Sequence, residues 1–274
     1  MIQEIYPHRF DNSFTLRTAE KTDHVLIYRN DEVLLKNTEQ DIIPTFEELG
    51  IPAEGADYLY RIDDMFFYTL PPDAFTADKG GISYRNVSVS RTLESFEGFA
   101  IITGREIVRF FETRRFCGRC GHSMHHSDRE RAMVCENCGQ TEYPKISPAI
   151  IVAIHDGDDL LMIKSAGRPN SSFHLIAGFV EVGETFEETV KREAMEEVGV
   201  KVKNVKYYKS QPWAFSDSVM IGFTAELDGE RQEFVIQESE VGEAAWINRK
   251  DIPESFNSIS IGSEMISNFK HGRS

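Results

Sequence analysis

Long hydrophobic runs, cysteines and basic residues are scarce in this sequence, and each scarcity excludes a class of protein. No apolar stretch approaches ~18 residues, the length that suggests a membrane-spanning helix, and residues 1–8 show no basic segment followed by an apolar run. Lys and Arg number 30 against 45 Asp and Glu, which gives a formal net charge of −15. A general nucleic-acid or membrane-surface binder needs a basic face, so the charge argues against both classes. We therefore expect a soluble, cytoplasmic protein with no membrane partner.

The few cysteines are confined to one short segment. The two C-x-x-C pairs, Cys117 with Cys120 and Cys135 with Cys138, are separated by fourteen residues, and a glycine follows each pair. Two such pairs predict a closed tetrahedral site of four thiolates, which is the structural type of zinc site. A pair of redox disulfides is the alternative interpretation. The sequence therefore predicts one structural Zn²⁺ per chain.

Composition divides the chain into three segments. Residues 1–113 contain two hairpin-like pairs of short apolar runs and an apolar helical face, which predicts an α+β domain. Residues 114–140 are rich in Arg, His, Cys and Gly and too poor in large aliphatic residues to build a core, so we expect a zinc ribbon. Residues 141–274 return to α/β patterning. In that segment we expect strands at 149–154, 160–164, 219–227 and 233–236, and a last helix at 261–269.

The segment from Gly178 to Val200 is the most informative part of the chain. Its 23 residues hold seven Glu against one Lys and one Arg. Thr185 followed by Glu188 has the spacing of a capping box, which begins a helix, and Gly199 stands where a helix typically ends. A helix with an unusually acidic face is therefore predicted between these residues.

Three carboxylates on this helix point to a cation site. Glu193 and Glu197 are four residues apart and share one face, and Glu196 lies beside them. Like charges at this spacing destabilise a helix unless a cation lies between them. A hard divalent cation such as Mg²⁺ prefers carboxylate oxygens and keeps positions for water and phosphate. Such a cation would also allow an acidic enzyme to hold an anionic diphosphate.

The segment resembles the Nudix box, G-x5-E-x7-R-E-U-x-E-E-x-G-U, in which U is an apolar residue. Every defined position is matched, namely Gly178, Glu184, Arg192, Glu193, Ala194, Glu196, Glu197, Gly199 and Val200. The resemblance implies the Nudix fold, an α/β arrangement with a mixed sheet between helices. It also implies hydrolysis of a nucleoside diphosphate linked to another group. Glu184 and Arg192 are expected to pair and to orient the helix.

The resemblance also implies the roles of the acidic residues. Glu193, Glu196 and Glu197 would be the catalytic carboxylates. Glu193 and Glu197 would bind Mg²⁺ or Mn²⁺ together with the carbonyl of Ala177. Glu240, six residues before a tryptophan, matches a later metal-binding glutamate of the family.

Residues 210–218 refine the resemblance. They read Ser-Gln-Pro-Trp-Ala-Phe-Ser-Asp-Ser and resemble S-Q-P-W-P-F-P-x-S, the signature of the NADH pyrophosphatase subgroup, with Ala214 and Ser216 in place of two prolines. Composition alone would predict a turn with a buried tryptophan. The subgroup also carries a four-cysteine zinc ribbon ahead of the box. The resemblance implies cleavage of NAD(H) to nicotinamide mononucleotide and AMP, removal of an NAD cap from RNA, and a homodimer.

Substrate contacts are expected in four places. A flat nicotinamide ring needs an aromatic platform, and Phe179 and Tyr143 are expected to supply it. The alternative is that Phe179 is a core side chain and Tyr143 a surface one. The resemblance adds Gly262 at the start of the last helix. It also adds the signature residues Gln211, Pro212, Trp213, Ala214, Phe215, Ser216, Asp217 and Ser218.

Three other functions remain open at this point. The chain could hydrolyse ADP-ribose or another dinucleotide, although residues 210–218 argue against that. It could be a Nudix-fold sensor that binds a ligand without cutting it, but a sensor has no need to keep every box carboxylate. It could be a nucleic-acid adaptor, since residues 114–131 hold five Arg against two acids. The net charge of −15 weighs against that as the main role.

Overall fold

The computed structural model describes residues 1–75, 80–93, 96–167, 172–254 and 259–273. The strands are β1 Phe10–Asp11, β2 His24–Arg29, β3 Glu32–Lys36, β4 Asp57–Ile62, β5 Met65–Leu70, β6 Ile82–Asn86, β7 Met124–His126, β8 Met133–Cys135, β9 Thr141–Glu142, β10 Ser147–Asp156, β11 Asp159–Ser165, β12 Ile176–Phe179, β13 Val202–Trp213, β14 Ser218–Leu227 and β15 Val241–Asn248. The helices are α1 Phe46–Leu49, α2 Phe96–Thr113, α3 Phe186–Val198 and α4 Ile261–Lys270, with short 3₁₀ helices at Pro72–Ala74 and Val87–Arg91.

The chain divides into two compact units, residues 2–145 and residues 146–274, the latter together with Met1. Within the described residues, no helix is long and apolar enough to cross a membrane.

The first unit contains a six-stranded sheet in the order β1-β4-β5-β2-β3-β6. Both predicted hairpins are confirmed, since β2 pairs antiparallel with β3 and β4 pairs antiparallel with β5. The two hairpins join through a parallel pairing of β2 with β5. The predicted α+β character of this part is therefore confirmed.

Helix α2 packs closely on this sheet, and the close approach depends on Gly104. The hydroxyl of Tyr28 donates a hydrogen bond of 2.6 Å to the carbonyl of Ile101. A Cβ atom at Gly104 would lie 2.5 Å from the Tyr28 hydroxyl and 2.7 Å from Leu26 Cδ1. Glycine normally weakens a helix interior, but here the missing side chain allows helix and sheet to approach.

The predicted zinc ribbon, residues 114–140, contributes β7 and β8 to a separate three-stranded sheet within the first unit. The third strand, β9, is Thr141–Glu142, which the sequence analysis assigned to the next segment. Arg131 ties the ribbon to the preceding sheet. One of its guanidinium nitrogens donates to the carbonyl of Leu59, and another donates to the carbonyl of Asn12 at 3.2 Å. The ribbon thus gains anchoring contacts that its own small set of apolar residues does not provide.

The second unit is a mixed sheet between helices, as the resemblance implied. Its main path is β13-β14-β10-β11-β15, and β12 pairs with β10. Among these described strands, β10 and β14 run parallel and the other pairs are antiparallel. Ile150 and Val152 of β10 pack in one core cluster with α3, whereas Ile151 and Ala153 pack in a second cluster with α4. Alternate residues of a strand point to opposite faces, so the two helices cover opposite sides of the sheet.

One predicted strand is wrong. Residues 233–236 form no strand, and Val235 is 73% exposed. The backbone here bonds to the end of α3 instead, because the Val235 amide donates to the Val198 carbonyl at 3.1 Å. The Gln237 amide likewise donates to the Glu197 carbonyl at 3.0 Å. The strand that pairs with β11 is β15, farther along the chain.

Candidate active site

The acidic helix begins and ends as its sequence predicts. The Thr185 hydroxyl accepts from the Glu188 amide, and the Glu188 carboxylate accepts from the Thr185 amide, which completes the capping box. Gly199 ends the helix in the left-handed conformation, with φ of 72°. Val190 and Ala194 are fully buried and fix the face that α3 turns to the sheet.

That same orientation carries Glu193 inward against β12. Gly178 of β12 pairs with Ile150 of the central strand. A Cβ atom at Gly178 would lie 1.9 Å from Glu193 Oε1, so any side chain at this position would displace the carboxylate. Ala177, whose carbonyl was expected to bind a cation, precedes this glycine and is exposed. The first box glycine is therefore required by the approach of Glu193.

Arg192 organises the other box carboxylates. Its Nε donates to Glu184 Oε1 at 2.6 Å, and its Nη1 donates to Glu193 Oε1 at 2.8 Å and to Glu196 Oε2 at 2.9 Å. The predicted pairing of Glu184 with Arg192 is thus confirmed. Hydrogen bonding from Arg192 lowers the pKa of Glu184 to about 2, and bonding to Glu184 raises the pKa of Arg192.

Two features of this arrangement were missed at the sequence level. Arg192 also donates to Glu196, and its Nη2 donates to the carbonyl of Phe179 at 3.0 Å. The first contact has a sequence signal, since the two residues are four apart on a helix. The second has none, because it joins the helix to a strand thirteen residues earlier.

Glu197 is the most perturbed carboxylate of the site. Its side chain is 4% exposed, and its Oε2 is buried with no hydrogen-bond partner among the described residues. Burial, with smaller contributions from Glu193 and Glu240, raises its pKa to about 8. Burial also raises the pKa of Glu193, against the opposing effect of Arg192. Glu240 itself is exposed, in the turn that precedes β15.

These residues fit a hard divalent cation. Their side-chain donor atoms are carboxylate oxygens, which such cations prefer, and an unpartnered buried oxygen on Glu197 leaves a ligand position open. A cation would also offset the repulsion between Glu193, Glu197 and Glu240. The side-chain oxygens of Glu193, Glu197 and Glu240 do not all lie within 4.8 Å of one another. In the part of the chain that the structure describes, only the cysteine sulfurs form a group of three or more ligand atoms within 4.8 Å of one another.

The cysteine cluster has the dimensions of a zinc site. The sulfur of Cys120 lies 3.5 Å from those of Cys135 and Cys138, and the sulfur of Cys117 lies 3.7 Å from that of Cys138. Four ligands at ~2.3 Å from a tetrahedral Zn²⁺ are separated by roughly 3.8 Å. The spacing therefore matches a four-thiolate zinc site, and His122, beside the cluster, is exposed.

The signature segment is only partly available at the surface. Its first residues extend β13, where Gln211 pairs with Met220 and Trp213 pairs with Ser218. The predicted turn is thus limited to the residues after Trp213. Among the expected substrate contacts the exposed residues are Pro212 and Ser216, the partly buried ones are Trp213, Phe215 and Asp217, and the buried ones are Gln211, Ala214 and Ser218.

Buried Gln211 joins this segment to the start of α4. Its amide nitrogen donates to the Ile259 carbonyl at 2.8 Å, and its amide oxygen accepts from the Ile261 amide at 2.6 Å. Gly262 follows in the first turn of α4, where a Cβ atom would lie 2.8 Å from Ile151 Cδ1. Two of the expected substrate positions, Gln211 and Gly262, therefore lie near one helix terminus, which the sequence did not indicate.

The two expected aromatic contacts are both exposed. Phe179 is 54% exposed, so it is not a core side chain. Tyr143 is 55% exposed, and its hydroxyl donates to Glu130 Oε1 at 2.9 Å. Phe179 belongs to the second unit and Tyr143 to the first.

Comparison with known proteins agrees with this geometry. The NUDIX domain family matches residues 145–267, and the NADH pyrophosphatase zinc ribbon domain matches residues 112–143. Proteins named NAD-capped RNA hydrolase NudC from Salmonella heidelberg (strain SL476) and Salmonella paratyphi B (strain ATCC BAA-1250 / SPB7) are each 44% identical over 168 residues. The alignment covers 61% of this chain and 65% of each relative, which is less than two thirds of their length.

Among solved structures, a NUDIX hydrolase from Nitrosomonas europaea superposes with a TM-score of 0.50 at 21% identity. The superposition covers 58% of this chain and 92% of that one, and it supports the fold alone. The chain therefore contains an NADH pyrophosphatase zinc ribbon domain followed directly by a Nudix domain.

Proposed function

We propose that this protein is a divalent-metal-dependent hydrolase that cleaves the diphosphate of NAD(H) to nicotinamide mononucleotide and AMP. The observation that carries the proposal is the buried pair Glu193 and Glu197 on α3, where one oxygen of Glu197 has no partner among the described residues. A structural role would leave that oxygen bonded or exposed to water. The name of the Salmonella relatives supports the choice of NAD as the reacting group.

The residues that would hold the cation are Glu193, Glu197, Glu240 and the carbonyl of Ala177, and either Mg²⁺ or Mn²⁺ suits this oxygen set. When bound, the cation supplies positive charge against the diphosphate and acts as a Lewis acid on a phosphoryl oxygen. Without it, the pKa of Glu197 stands at about 8, so half or more of this carboxyl is protonated at neutral pH. Cation binding and ionisation of Glu197 are therefore coupled.

The chain's own residues orient and activate the reactants. Arg192 donates to one carboxylate oxygen of Glu193 and to one of Glu196, so the other oxygen of each carboxylate is not bonded to this arginine. Two roles suit Glu197, namely cation ligand and acceptor of the proton of the attacking water, and both require its ionised form. Glu196, 53% exposed on its side chain, lies within reach of solvent and completes the catalytic set.

Recognition of the nicotinamide half is assigned to exposed aromatic residues. Phe179 stands directly after Gly178 in β12, it is 54% exposed, and its backbone carbonyl accepts a hydrogen bond from Arg192. Tyr143 is the second ring, and a homodimer in which it reaches the partner's site is part of the proposal. Residues 211–218 and Gly262 would close the pocket. A cytoplasmic location and activity on NAD-capped RNA complete the proposed function.

The test compares three substrates in the presence of Mg²⁺ or Mn²⁺. Purified protein is incubated with NADH, with ADP-ribose, and with a short RNA carrying a 5′ NAD cap, and AMP or the 5′-monophosphorylated RNA is quantified. We expect NADH and capped RNA to be cleaved with a higher kcat/KM than ADP-ribose. Preferred cleavage of ADP-ribose would favour the other dinucleotide hydrolases. Binding of NADH without any cleavage would indicate a sensor.

A further inference from the structure

A cavity lies on the side of the sheet that faces away from the acidic helix. It has a volume of about 690 Å³, within the range of small-molecule sites, and we call it the α4 pocket. Its floor includes Ala153 of β10 and Met265 of α4, which belong to the core cluster on the α4 face. Helix α3 packs against the other face of the sheet, where it contacts Ile150 and Val152 of β10. The α4 pocket is therefore separate from the carboxylate site.

Aromatic side chains form part of its wall and are held in place. The ring of Phe269 lies 6.0 Å from the ring of His155 and 4.8 Å from the guanidinium of Arg249. The hydroxyl of Tyr208 donates to Glu264 at 2.7 Å and accepts from Asn268 at 2.6 Å. Such rings offer fixed apolar surfaces to a planar ligand, and fixed surfaces bind at a lower entropic cost.

The charge of the lining is unusual for so acidic a chain. Its cations are Lys206, Arg249 and Arg273, and its carboxylate is Glu226, which already accepts from Asn204 at 2.9 Å. The lining thus carries more cationic than anionic side chains, in a chain with a net charge of −15.

Two of these cations retain binding capacity. Arg249 is not one of them, because it pairs with Asp158 at 3.0 Å and its Nε is buried. Within the described ranges, Lys206 and Arg273 make no ion pair with a carboxylate. Arg273 Nη2 instead lies 3.4 Å from the ring of His271. The two long cationic side chains of Lys206 and Arg273 are therefore available to an anion.

We propose that the α4 pocket binds a mononucleotide. Lys206 and Arg273 hold the phosphate, since both residue types form charge-assisted hydrogen bonds with phosphate oxygens. The base lies against Phe269 and Tyr208. The pocket requires both parts of the ligand, because an isolated phosphate leaves the aromatic wall unused and a nucleoside leaves the cations unpaired.

The test measures binding of AMP and of nicotinamide mononucleotide to the full chain by isothermal titration calorimetry in EDTA. Loss of two charged contacts weakens a complex by tenfold or more. The variant carrying Lys206→Glu and Arg273→Glu should therefore bind AMP at least about tenfold more weakly. The control is Lys203→Glu, an exposed lysine of the same strand that pairs with Asp228 at 3.6 Å and is not part of the lining. It should bind within about twofold of the unaltered chain.

Three results would overturn the proposal. Equal affinity of the double variant and the unaltered chain would place the nucleotide elsewhere, including in the carboxylate site. Inorganic phosphate binding as tightly as AMP would make the pocket a general anion site. A change in sedimentation mass on introducing Lys206→Glu and Arg273→Glu would mean that a second copy of the chain covers the pocket. Because no turnover is measured and no cation is present, these outcomes are independent of whether NADH is cleaved.

Discussion

Glu197 should make the metal-free protein less stable as the pH rises, and Glu197→Gln should remove this effect. The carboxyl has a pKa raised from 4.5 to about 8 in the folded chain. Below pH 4.5, its pKa in the unfolded chain, the carboxyl is protonated in both the folded and the unfolded state and does not lower the stability. Between the two values the unfolded chain releases the proton while the folded chain keeps it, so stability falls with rising pH. Above pH 8 the loss is complete.

The size of the effect follows from the change in pKa. A rise from 4.5 to about 8 corresponds to roughly 5 kcal/mol at most. In Glu197→Gln, the amide atom that replaces the unpartnered Oε2 would itself be buried without a hydrogen bond, which destabilises the folded chain by about 1–3 kcal/mol. We therefore expect Glu197→Gln to stabilise the metal-free chain by roughly 2–4 kcal/mol at pH 8, and not to stabilise it at pH 4.5.

The assay is thermal unfolding in EDTA across this pH range, for the unaltered chain and the variant. In a chain of this size the gain at pH 8 corresponds to a rise in Tm on the order of 10 °C. Added Mg²⁺ should raise the Tm of the unaltered chain more at pH 8 than at pH 5, because it binds the ionised form. Parallel pH profiles for the two proteins would refute the assignment of a raised pKa to Glu197.

Three further predictions concern the ribbon, the aromatic residues and α4. Cys135→Ser should remove the zinc and lower the Tm, as elemental analysis and circular dichroism would show; unchanged stability would contradict a structural site. Phe179→Ala and Tyr143→Ala should raise the KM for NADH more than for ADP-ribose, and equal losses on both substrates would show that these rings support the fold instead. Gln211→Leu removes two buried bonds to the α4 terminus and should cost about 2–4 kcal/mol in urea unfolding, whereas an unchanged midpoint would show that the amide does not hold the helix.

The elements that sequence predicted well are those with local signals at both ends. Helix α3 carries its capping box at Thr185 and its terminating glycine at position 199, and the structure ends it at those residues. The hairpin strands of the first unit alternate and are separated by short polar turns. Such elements are specified by neighbours in the chain, so a single sequence is sufficient to place them.

The elements that sequence missed depend on distant partners. Strand β13 continues through Pro212. A proline argues against a strand in the interior of a sheet, because it has no backbone N–H to donate. Pro212 is tolerated because β13 lies at an edge of the sheet, and that position follows only from the topology. The run at 233–236 was predicted as a strand from its composition. Its backbone groups bond to the end of α3, which the composition does not reveal.

The candidate active site shows the same difference between local contacts, which the sequence predicts, and contacts between distant segments, which it does not. The motif predicted the pairing of Glu184 with Arg192, because the spacing within the box is fixed. The bond from Arg192 to the carbonyl of Phe179 and the link from Gln211 to the start of α4 join segments that are distant in the sequence. Burial of Glu197, which raises its pKa, likewise depends on how α3 packs against the sheet.

The central claim is that the carboxylates of α3 cleave the diphosphate of NADH, and one comparison tests it most directly. Release of AMP from NADH in Mg²⁺ is measured for the unaltered chain, for Glu197→Gln, and for Glu187→Gln, an exposed glutamate on the same helix. We expect Glu197→Gln to lower kcat by ~10²–10⁴-fold or more, through loss of a cation ligand or proton acceptor, with Glu187→Gln nearly unchanged. Near-normal AMP release by Glu197→Gln would contradict the account.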